Sequence, residues 1–532
     1  MRVLFFVEPF PVRGRPLDFQ WVVGRWLALS QELSRRGALP LFAVSDAIKA
    51  ARPEVAPWLL SPADFGLKPA IPEEPALLDA EWVRLMTDPD MPGWRPFVDA
   101  LLERTRPDAV VTWTVNAPLR AATSKRGIVL LHQELGPMRP PNPTLYFADP
   151  QGVNGGSTLP DVWPTLREQP LTLEQELELE WLSTHAMAPS PLSREEISRR
   201  LELIPGRRVL AVFLQIPRDS NTLRWSRLGG KELLEVVTAA TSPEQHHVLV
   251  RPHPGHPLPP RALASHVRIV RDLPAEALLE VADAVLTINS SVGLEALARG
   301  KVVYTFGESP YAGRGCTRDL GAEPEQLRQA LAEQPFSLTE EEDRLRRRLL
   351  HFLVFRYLIP DWEAWSAEAL LGRLERWKRL RERGAPWLEW FAPESAGARL
   401  GALRMEKAIT EQSSRLERME AELAAVRGER EEARAQLAAT TQAIQTMQAR
   451  LGAAQALADG LHQQLDSTSQ AFQAQLDATR AQADALRHQL ATTTEELEHL
   501  RHSVGYRLLG LARRIPVIYP GYILGKRLLQ RQ

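Results

Sequence analysis

The chain has 532 residues, of which 65 are Lys or Arg and 66 are Asp or Glu, so its formal net charge at pH 7 is −1. This length exceeds what a single hydrophobic core usually supports and predicts two or three folded units. The near-neutral balance argues against a dedicated nucleic-acid-binding protein, which would carry a basic domain. The one cysteine, Cys316, excludes an internal disulfide framework and a multi-cysteine zinc site, and it is typical of a reducing compartment.

The sequence shows no apolar run near the roughly 20 residues that span a bilayer. The first residues, MRVLFFVEPF, are apolar only up to Glu8, which predicts a first β-strand and not a signal peptide. We therefore expect a cytoplasmic protein.

Residues 1–190 alternate apolar strands with helices. Strands are predicted at 2–7, 39–44, 108–115 and 127–132, and helices at 18–36 and 172–187. The proline-rich stretch 47–94 is expected to be irregular. Because the strands are apolar on both faces, the alternation predicts a parallel sheet covered by helices.

Residues 205–335 repeat this pattern. Strands are predicted at 208–215, 247–251, 267–270, 284–288 and 301–306, and helices at 230–241, 274–282 and 291–299. The fold class is therefore α/β, with two doubly wound Rossmann-like domains whose ligands bind at the carboxyl ends of the strands. A helical segment, 336–400, is expected to pack across both domains.

Residues 401–502 are predicted to form a coiled coil. The chain has no proline from Glu394 to Ile515, and apolar or small residues recur every three and four positions from Leu416 to Leu500, with a stutter at Phe472–Leu476. Arg430 falls at a core position. A parallel homo-oligomer is expected, and a long single helix or an antiparallel hairpin are the alternatives.

The final segment, 503–532, carries six basic residues, no acidic residue, three tyrosines and many Leu and Ile residues. This composition is typical of an amphipathic helix that binds the surface of an anionic membrane. A small packing module that ends the coiled coil is the alternative.

Three stretches place polar side chains at predicted strand ends. The first is HQELG and the polar loop that follows it in sequence. Glu134 is a candidate general base or nucleophile, and Arg139 and Asn154 in the loop are possible cleft residues. The alternative for Glu134 is a capping or ion-pairing role.

The second stretch is Arg251-Pro252-His253-Pro254. The two prolines fix the backbone at a strand end, where His253 is suited to bind or protonate a leaving phosphate. A structural histidine is the alternative. His256 lies three residues on, but no third ligand completes a metal site.

The third stretch, NSSVGLE, lies at a strand-to-helix junction. Asn289, Ser290 and Ser291 are placed to bind an anion at the helix N-terminus, and Glu295 lies one turn further, where it is suited to accept hydrogen bonds from ribose hydroxyls. A simple N-cap is the alternative.

Together these segments resemble the bacterial capsule polysaccharide biosynthesis family, the Kps/Lip-type Kdo transferases of GT-B architecture. The matching motifs, in order between about residues 130 and 316, are HQELGPMRP, DPQGVNGGS, VFLQIPRDSNT, VLVRPHPGH and ADAVLTINSSVGLEALARGKVVYTFGESPYAGRG. The first 120 residues agree in architecture alone. One departure is Glu308–Tyr311, where the family often has a different lead-in.

The resemblance implies transfer of a sugar, typically Kdo from CMP-Kdo, to a lipid-linked or glycan acceptor, without a metal or a cofactor. It implies that Glu134 is the base or nucleophile, that His253, Ser290 and Ser291 contact the donor phosphate, and that Glu295 binds the ribose. Arg251 is the usual basic residue, Asn289 belongs to the donor motif, and Gln215 and Asp219 match a cleft loop to which no role is assigned.

The expected protein is a peripheral glycosyltransferase on the inner face of the plasma membrane. Two alternatives stay open from the sequence. One is a scaffold or length-setting protein of polysaccharide assembly whose transferase site is degenerate. The other is a polyol-phosphate transferase of the teichoic-acid type, which also uses a histidine and a Ser-rich helix start.

Overall fold

The computed structural model describes residues 1–67, 71–138, 140–253, 255–256, 264–391, 396–473, 488, 491–496 and 498–499. Residues Met1–Met419 form one compact unit, and the described residues from Glu420 onward form a second. The predicted basic tail, 503–532, lies outside the described residues, as does most of the predicted coiled coil beyond residue 473.

The first domain alternates strands and helices. Its elements are β1 (Arg2–Phe6), α1 (Gln20–Arg35), β2 (Leu39–Ala43), α2 (Asp46–Ala50), β3 (Leu59–Leu60), α3 (Pro75–Thr87), α4 (Trp94–Thr105), β4 (Ala109–Thr112), α5 (Ala117–Lys125), β5 (Val129–Leu135), β6 (Leu145–Asp149), α6 (Leu159–Leu166) and α7 (Leu173–Trp181). The core strands β1 and β4 are almost wholly buried, as the continuous apolar runs predict.

The second domain repeats the plan. Its elements are α8 (Arg194–Arg200), β7 (Arg208–Phe213), α9 (Ser220–Trp225), α10 (Gly230–Ala240), β8 (His246–Arg251), β9 (Val267–Ile269), α11 (Ala275–Val281), β10 (Ala284–Thr287), α12 (Ser291–Ala298), β11 (Val302–Thr305), β12 (Arg318–Asp319) and α13 (Pro324–Glu333). The strand order is β12-β11-β10-β7-β8-β9, and every pairing in the described sheet is parallel.

The chain then returns to the first domain through α14 (Glu340–Phe352), β13 (Ile359–Pro360), α15 (Asp361–Ala364), α16 (Ala367–Glu382) and α17 (Trp387–Trp390). The short strand β13 joins the first sheet, whose order is β13-β6-β5-β4-β1-β2-β3. The pairings β5–β6 and β6–β13 are antiparallel, and the others in that sheet are parallel.

Strand order reverses once in each sheet, between β1 and β4 in the first and between β7 and β10 in the second. The loops that follow these strands run in opposite directions and leave a crevice between them, where ligands of doubly wound sheets bind. The predicted fold class is confirmed: two Rossmann-like parallel-sheet domains in the GT-B arrangement, followed by a long helix.

Two predictions about the first domain were wrong. The stretch 47–94 is not irregular throughout, because α3 occupies 13 of its residues and begins with Pro75 at a position where the missing N–H costs no helical hydrogen bond. The polar segment after Glu134 is not simply a loop, because β5 continues to Leu135 and β6 pairs with it, setting Glu134 opposite Phe147.

Two one-turn π-helices occur where the chain passes between the domains. One, Leu182–Ala186, continues α7 before α8, and the other, Leu353–Tyr357, continues α14 before β13. Glu178 of α7 and His351 of α14 lie 2.7 Å apart and are almost fully buried. Burial raises the pKa of Glu178 to about 7 and lowers that of His351 to about 3.

The last described element, α18 (Ala396–Gln473), is a helix of 78 residues. None of the helices in the described part of the chain has the length and apolar character needed to cross a bilayer.

The strand-order reversal in the first sheet is closed by a buried carboxyl group. Glu8, which follows β1 and is 1 % exposed, accepts hydrogen bonds from Asn116 Nδ2 (3.0 Å), Thr114 Oγ1 (3.4 Å) and the Phe10 N–H (3.2 Å). Burial outweighs these donors and raises the pKa of Glu8 from 4.5 to about 7.

Replacing Glu8 with glutamine should change how stability depends on pH. Because the folded-state pKa is raised, the contribution of Glu8 is fully present below about pH 4.5 and is lost as the pH rises through about 7. In Glu8→Gln this loss is absent, so the free energy of unfolding of the variant relative to wild type should rise by about 3 kcal/mol between pH 4.5 and 8.

The measurement is the thermal or urea unfolding midpoint of both proteins across that range. The exposed Glu103→Gln serves as the control and should keep the wild-type profile. A Glu8→Gln profile parallel to that of wild type would show that Glu8 is ionised in the fold.

Candidate active site

One crevice is lined by residues that follow strands of both sheets. From the first domain it takes Glu134, Leu135, Gly136, Pro137 and Asn154, and from the second it takes Leu214, Gln215, Ile216, Asp219, Asn221, His253, Asn289, Ser290, Ser291, Pro310 and Tyr311. The structure therefore brings together Glu134, Asn154, Gln215, Asp219, His253, Asn289, Ser290 and Ser291 among the residues that the sequence singles out.

An amide pair bridges the strand-order reversal in the second sheet. Gln215, after β7, donates from Nε2 to Asn289 Oδ1 (2.7 Å) and accepts the Asn289 N–H on Oε1 (3.1 Å). Asn289 Nδ2 donates to the carbonyl oxygens of Asn221 (2.8 Å) and Glu308 (3.1 Å). These bonds satisfy the polar groups at the ends of β7 and β10 and fix where α12 begins.

The N-terminus of α12 faces the crevice. Ser290 is the N-cap, and its Oγ accepts the Val292 N–H (3.3 Å), so the capping interpretation holds for this residue. Capping uses a lone pair of the hydroxyl and leaves its proton to donate. Ser290, Ser291 and the first N–H groups of the helix, together with the helix dipole, form a site suited to an anion.

Tyr311 holds the N-terminus of α12 in place. Its buried hydroxyl donates to the carbonyl oxygen of Ser290. The approach is close because residue 293 is glycine: a Cβ there would lie 2.3 Å from Tyr311 Oη. The crevice wall thus depends on the absence of a side chain at Gly293.

His253 follows β8, as predicted. Its Nδ1 accepts the N–H of Gly255 at 3.2 Å. Since Nδ1 is an acceptor, the neutral ring carries its proton on Nε2, the nitrogen from which it would donate to a phosphate oxygen.

The first domain contributes a carboxylate and a turn. Glu134 is partly buried near the end of β5, in the antiparallel ladder with β6. Beyond β6, Asp149 holds the loop that presents Asn154, because its carboxylate accepts hydrogen bonds from the N–H groups of Gln151 and Gly152, from the N–H and hydroxyl of Thr158 and from the Tyr357 hydroxyl.

Three contacts join the domains beside the crevice. Trp225 of α9 packs on the turn that contains Gly155 and Gly156, where an added Cβ would lie 2.8 Å from the indole. Arg218 donates to Asp79 of α3 at 2.7 Å. Asp219, to which the sequence assigned no role, caps α9 and lies 3.8 Å from Arg13.

A second cavity adjoins the crevice and shares Leu214, Gln215 and Ile216 with it. The crevice encloses about 110 Å³ and the neighbouring cavity about 440 Å³. Only with this neighbour does the space reach the 300–1,000 Å³ typical of ligand sites. Four basic side chains line the neighbouring cavity: Arg218, Arg227, Lys231 and His256.

Two predicted site residues in the described part of the chain, Arg251 and Glu295, are not brought to the crevice. Arg251 donates to the carbonyl oxygen of Leu273, which ties β8 to the start of α11. Glu295 is 9 % exposed and packs on the inner side of α12. Arg139 lies outside the described residues.

Tyr311 and Asn221 lie within the family-like motifs without a predicted role, and both line the crevice. The contact of Tyr311 with Ser290 spans 21 residues of sequence, so no local pattern marks it. Pro137 and Pro310, also in the lining, carry no chemical signature. In the described residues no group of three or more His, Cys, Asp or Glu side chains is arranged to hold a metal ion.

Among solved structures, the chain is similar to two of Thermosulfurimonas dismutans KpsC. The beta Kdo 2,7 transferase is 19% identical with a TM-score of 0.35, covering 53% of this chain and 90% of that one. The beta Kdo 2,4 transferase is 21% identical with a TM-score of 0.32, covering 45% and 79%. The calicheamicin glycosyltransferase CalG4 is 15% identical with a TM-score of 0.32, covering 71% and 98%.

No curated protein matches the chain in sequence. A family model described as "Capsule polysaccharide biosynthesis protein" matches residues 259–342. This stretch contains α12, its Ser-rich start and Tyr311, but not Glu134 or His253. Over residues 259–342 the chain is thus similar to the capsule polysaccharide biosynthesis family, the family whose motifs the sequence resembles.

Proposed function

We propose that this protein is a glycosyltransferase of capsule-type polysaccharide synthesis that transfers Kdo from CMP-Kdo to a lipid-linked or glycan acceptor without a metal ion. One observation carries the proposal: Glu134 of the first domain and His253 and Ser290 of the second line the same crevice. The family match over residues 259–342 and the order of the motifs support the substrate class.

The second domain provides the groups that a departing nucleotide needs. When the bond from the anomeric carbon to the phosphate oxygen breaks, its electron pair remains on CMP as added negative charge. The N–H groups at the start of α12, the Ser290 and Ser291 hydroxyls and the His253 Nε2–H stabilise such charge. Arg227 and Lys231 of the adjoining cavity suit the rest of an anionic nucleotide.

The first domain provides the carboxylate. In this proposal Glu134 acts from the other side of the crevice, either by accepting the proton of the acceptor hydroxyl as the new bond to the anomeric carbon forms or by attacking that carbon itself. Asn154, on the turn held by Asp149, is the first-domain residue placed to orient a sugar.

The cellular setting follows from the sequence pattern. The basic tail, 503–532, would hold the enzyme at the inner face of the plasma membrane, where a lipid-linked acceptor is available. The helix α18 lies before this tail in the chain.

The Glu134→Gln and His253→Ala variants should lose transfer activity while keeping the fold. We expect CMP release from CMP-Kdo to fall at least about 100-fold in each, because each removes a group that acts at the reacting bond. Matched controls are Glu180→Gln and His185→Ala, which change the same residue types outside the crevice.

The assay is CMP release with a panel of CMP-, UDP- and GDP-linked sugars, together with circular dichroism of each variant. Full activity in Glu134→Gln or His253→Ala would remove the assignment. Release of UDP or GDP in place of CMP would keep the enzyme class and overturn the donor.

The binding of CMP at the N-terminus of α12 should depend on glycine at position 293. In Gly293→Ala the added Cβ meets Tyr311, and such overpacking costs about 1–3 kcal/mol. We expect the dissociation constant for CMP, measured by calorimetry, to rise about 10-fold or more. Gly372→Ala, in α16 with no atom near the new Cβ, should bind CMP like wild type. Equal affinity in both variants would show that donor binding does not use this helix start.

Removing divalent ions should leave the activity unchanged. No cluster of three candidate metal-ligand residues occurs in the described chain, and the proposed stabilisation of the leaving phosphate uses protein groups. Initial rates with EDTA and with added Mg²⁺ or Mn²⁺ should agree within about twofold, with a metal-dependent transferase assayed in parallel as the control. A large loss in EDTA that Mg²⁺ restores would contradict metal-independent transfer.

A further inference from the structure

The helix α18 carries a long apolar stripe whose large side chains are mostly exposed in the described part of the chain. Written as heptads abcdefg with Ile409 at a, its a and d positions hold mostly Leu, Ile, Met and Val up to Leu461. Apart from the half-buried Met447, the large residues of this stripe are 45–68 % exposed. We call this set the seam: Ile409, Leu416, Met419, Leu423, Val426, Leu437, Ile444, Met447, Leu451 and Leu461.

An exposed seam of this length needs a partner. Apolar residues at a and d are the pattern by which one helix packs against another. A helix without such packing gains little stability in water. The residues that flank the seam identify the partner, because the e and g positions face the e and g positions of the neighbouring helix in a coiled coil.

We propose that the seam of a second copy of this chain covers it, as a parallel, two-stranded coiled coil in register. In that alignment each g residue meets the e residue five positions later on the partner. Three consecutive pairs are then opposite in charge: Arg415 with Glu420, Glu422 with Arg427, and Glu429 with Arg434. All six side chains are exposed in the single chain.

Other registers lose this complementarity. Shifting one helix by a heptad in one direction sets Arg415 against Arg427, and shifting it in the other sets Glu422 against Glu420. Like charges in these positions are destabilising. Arg430 at an a position also favours a single register, because a polar residue at a fixes register and oligomer state at some cost in stability.

An antiparallel hairpin within one chain cannot cover the same residues. The helix is continuous to Gln473, and only 42 residues separate it from the helix-breaking Pro516. An arm of that length folding back from Gln473 would reach about residue 432. The heptads with the three charge pairs, 415–434, would stay almost wholly uncovered.

Disulfide trapping distinguishes strand orientation. Met419 and Met447 are both d residues, four heptads apart, so in a parallel in-register dimer each meets its own copy. Met419→Cys and Met447→Cys should each form covalent dimers under mild oxidation. The control, Ser414→Cys at an f position, should not. The native Cys316 is buried, and burial raises its pKa to about 12, so the wild-type chain supplies the uncrosslinked background.

Charge reversal tests the pairing. Glu422→Arg and Arg427→Glu each create two like-charge pairs per dimer and should raise the dimer dissociation constant roughly 10-fold. The double variant restores opposite charges and should regain most of the affinity. Residues five apart lie on different sides of one helix, so recovery reports contact between chains.

Sedimentation of the full chain gives the mass and the dissociation constant. A mass of two copies, crosslinking at both positions and recovery in the double variant support the proposal. A monomer at micromolar concentration, a mass of three or four copies, crosslinking at only one of the two positions, or a double variant no better than the single ones would each overturn it. The seam is separate from the crevice residues, so these outcomes leave the proposed transferase activity untouched.

Discussion

The amide pair between Gln215 and Asn289 is the interaction on which the second domain's site depends. Where strand order reverses, the loops after β7 and β10 diverge and their polar groups lose the partners that the sheet provides. Gln215 replaces those partners with two hydrogen bonds to one residue. Because Asn289 precedes the N-cap Ser290, this pair also sets the position and direction of α12. The anion site is therefore a consequence of how the sheet ends.

The first sheet has the same reversal of strand order, but among the described residues the reversal there leaves no open space for a ligand. There Glu8 and Asn116 bridge the reversal, but both are buried, so the protein's own side chains fill the crevice. The first domain instead contributes to the site from the β5–β6 pair, where Glu134 lies. The strand-order reversal is thus open to a ligand in the second domain and filled by side chains in the first. This difference explains why two domains of the same architecture contribute different groups to the site.

Much of the architecture was predictable because continuous apolar runs mark buried parallel strands and prolines mark the helix ends. The strand β6 was missed because its pattern is short and lies within a polar segment, and β13 because two residues carry no periodicity. At the site, strand-end positions such as His253 and Asn289 could be predicted, since carboxyl ends share one edge. The burial of Glu295 depends on which side of α12 packs inward, and the contact of Tyr311 depends on the tertiary fold, so neither was visible in the sequence.

The two π-turns have a consequence for motion. The polypeptide passes between the domains twice, beside Leu182–Ala186 and beside Leu353–Tyr357, and the helices that lead into these turns are clasped by Glu178 and His351. Two covalent connections restrain the relative motion of the domains more than one connection would. Rotation about the line through both connections is the motion that stretches neither of them.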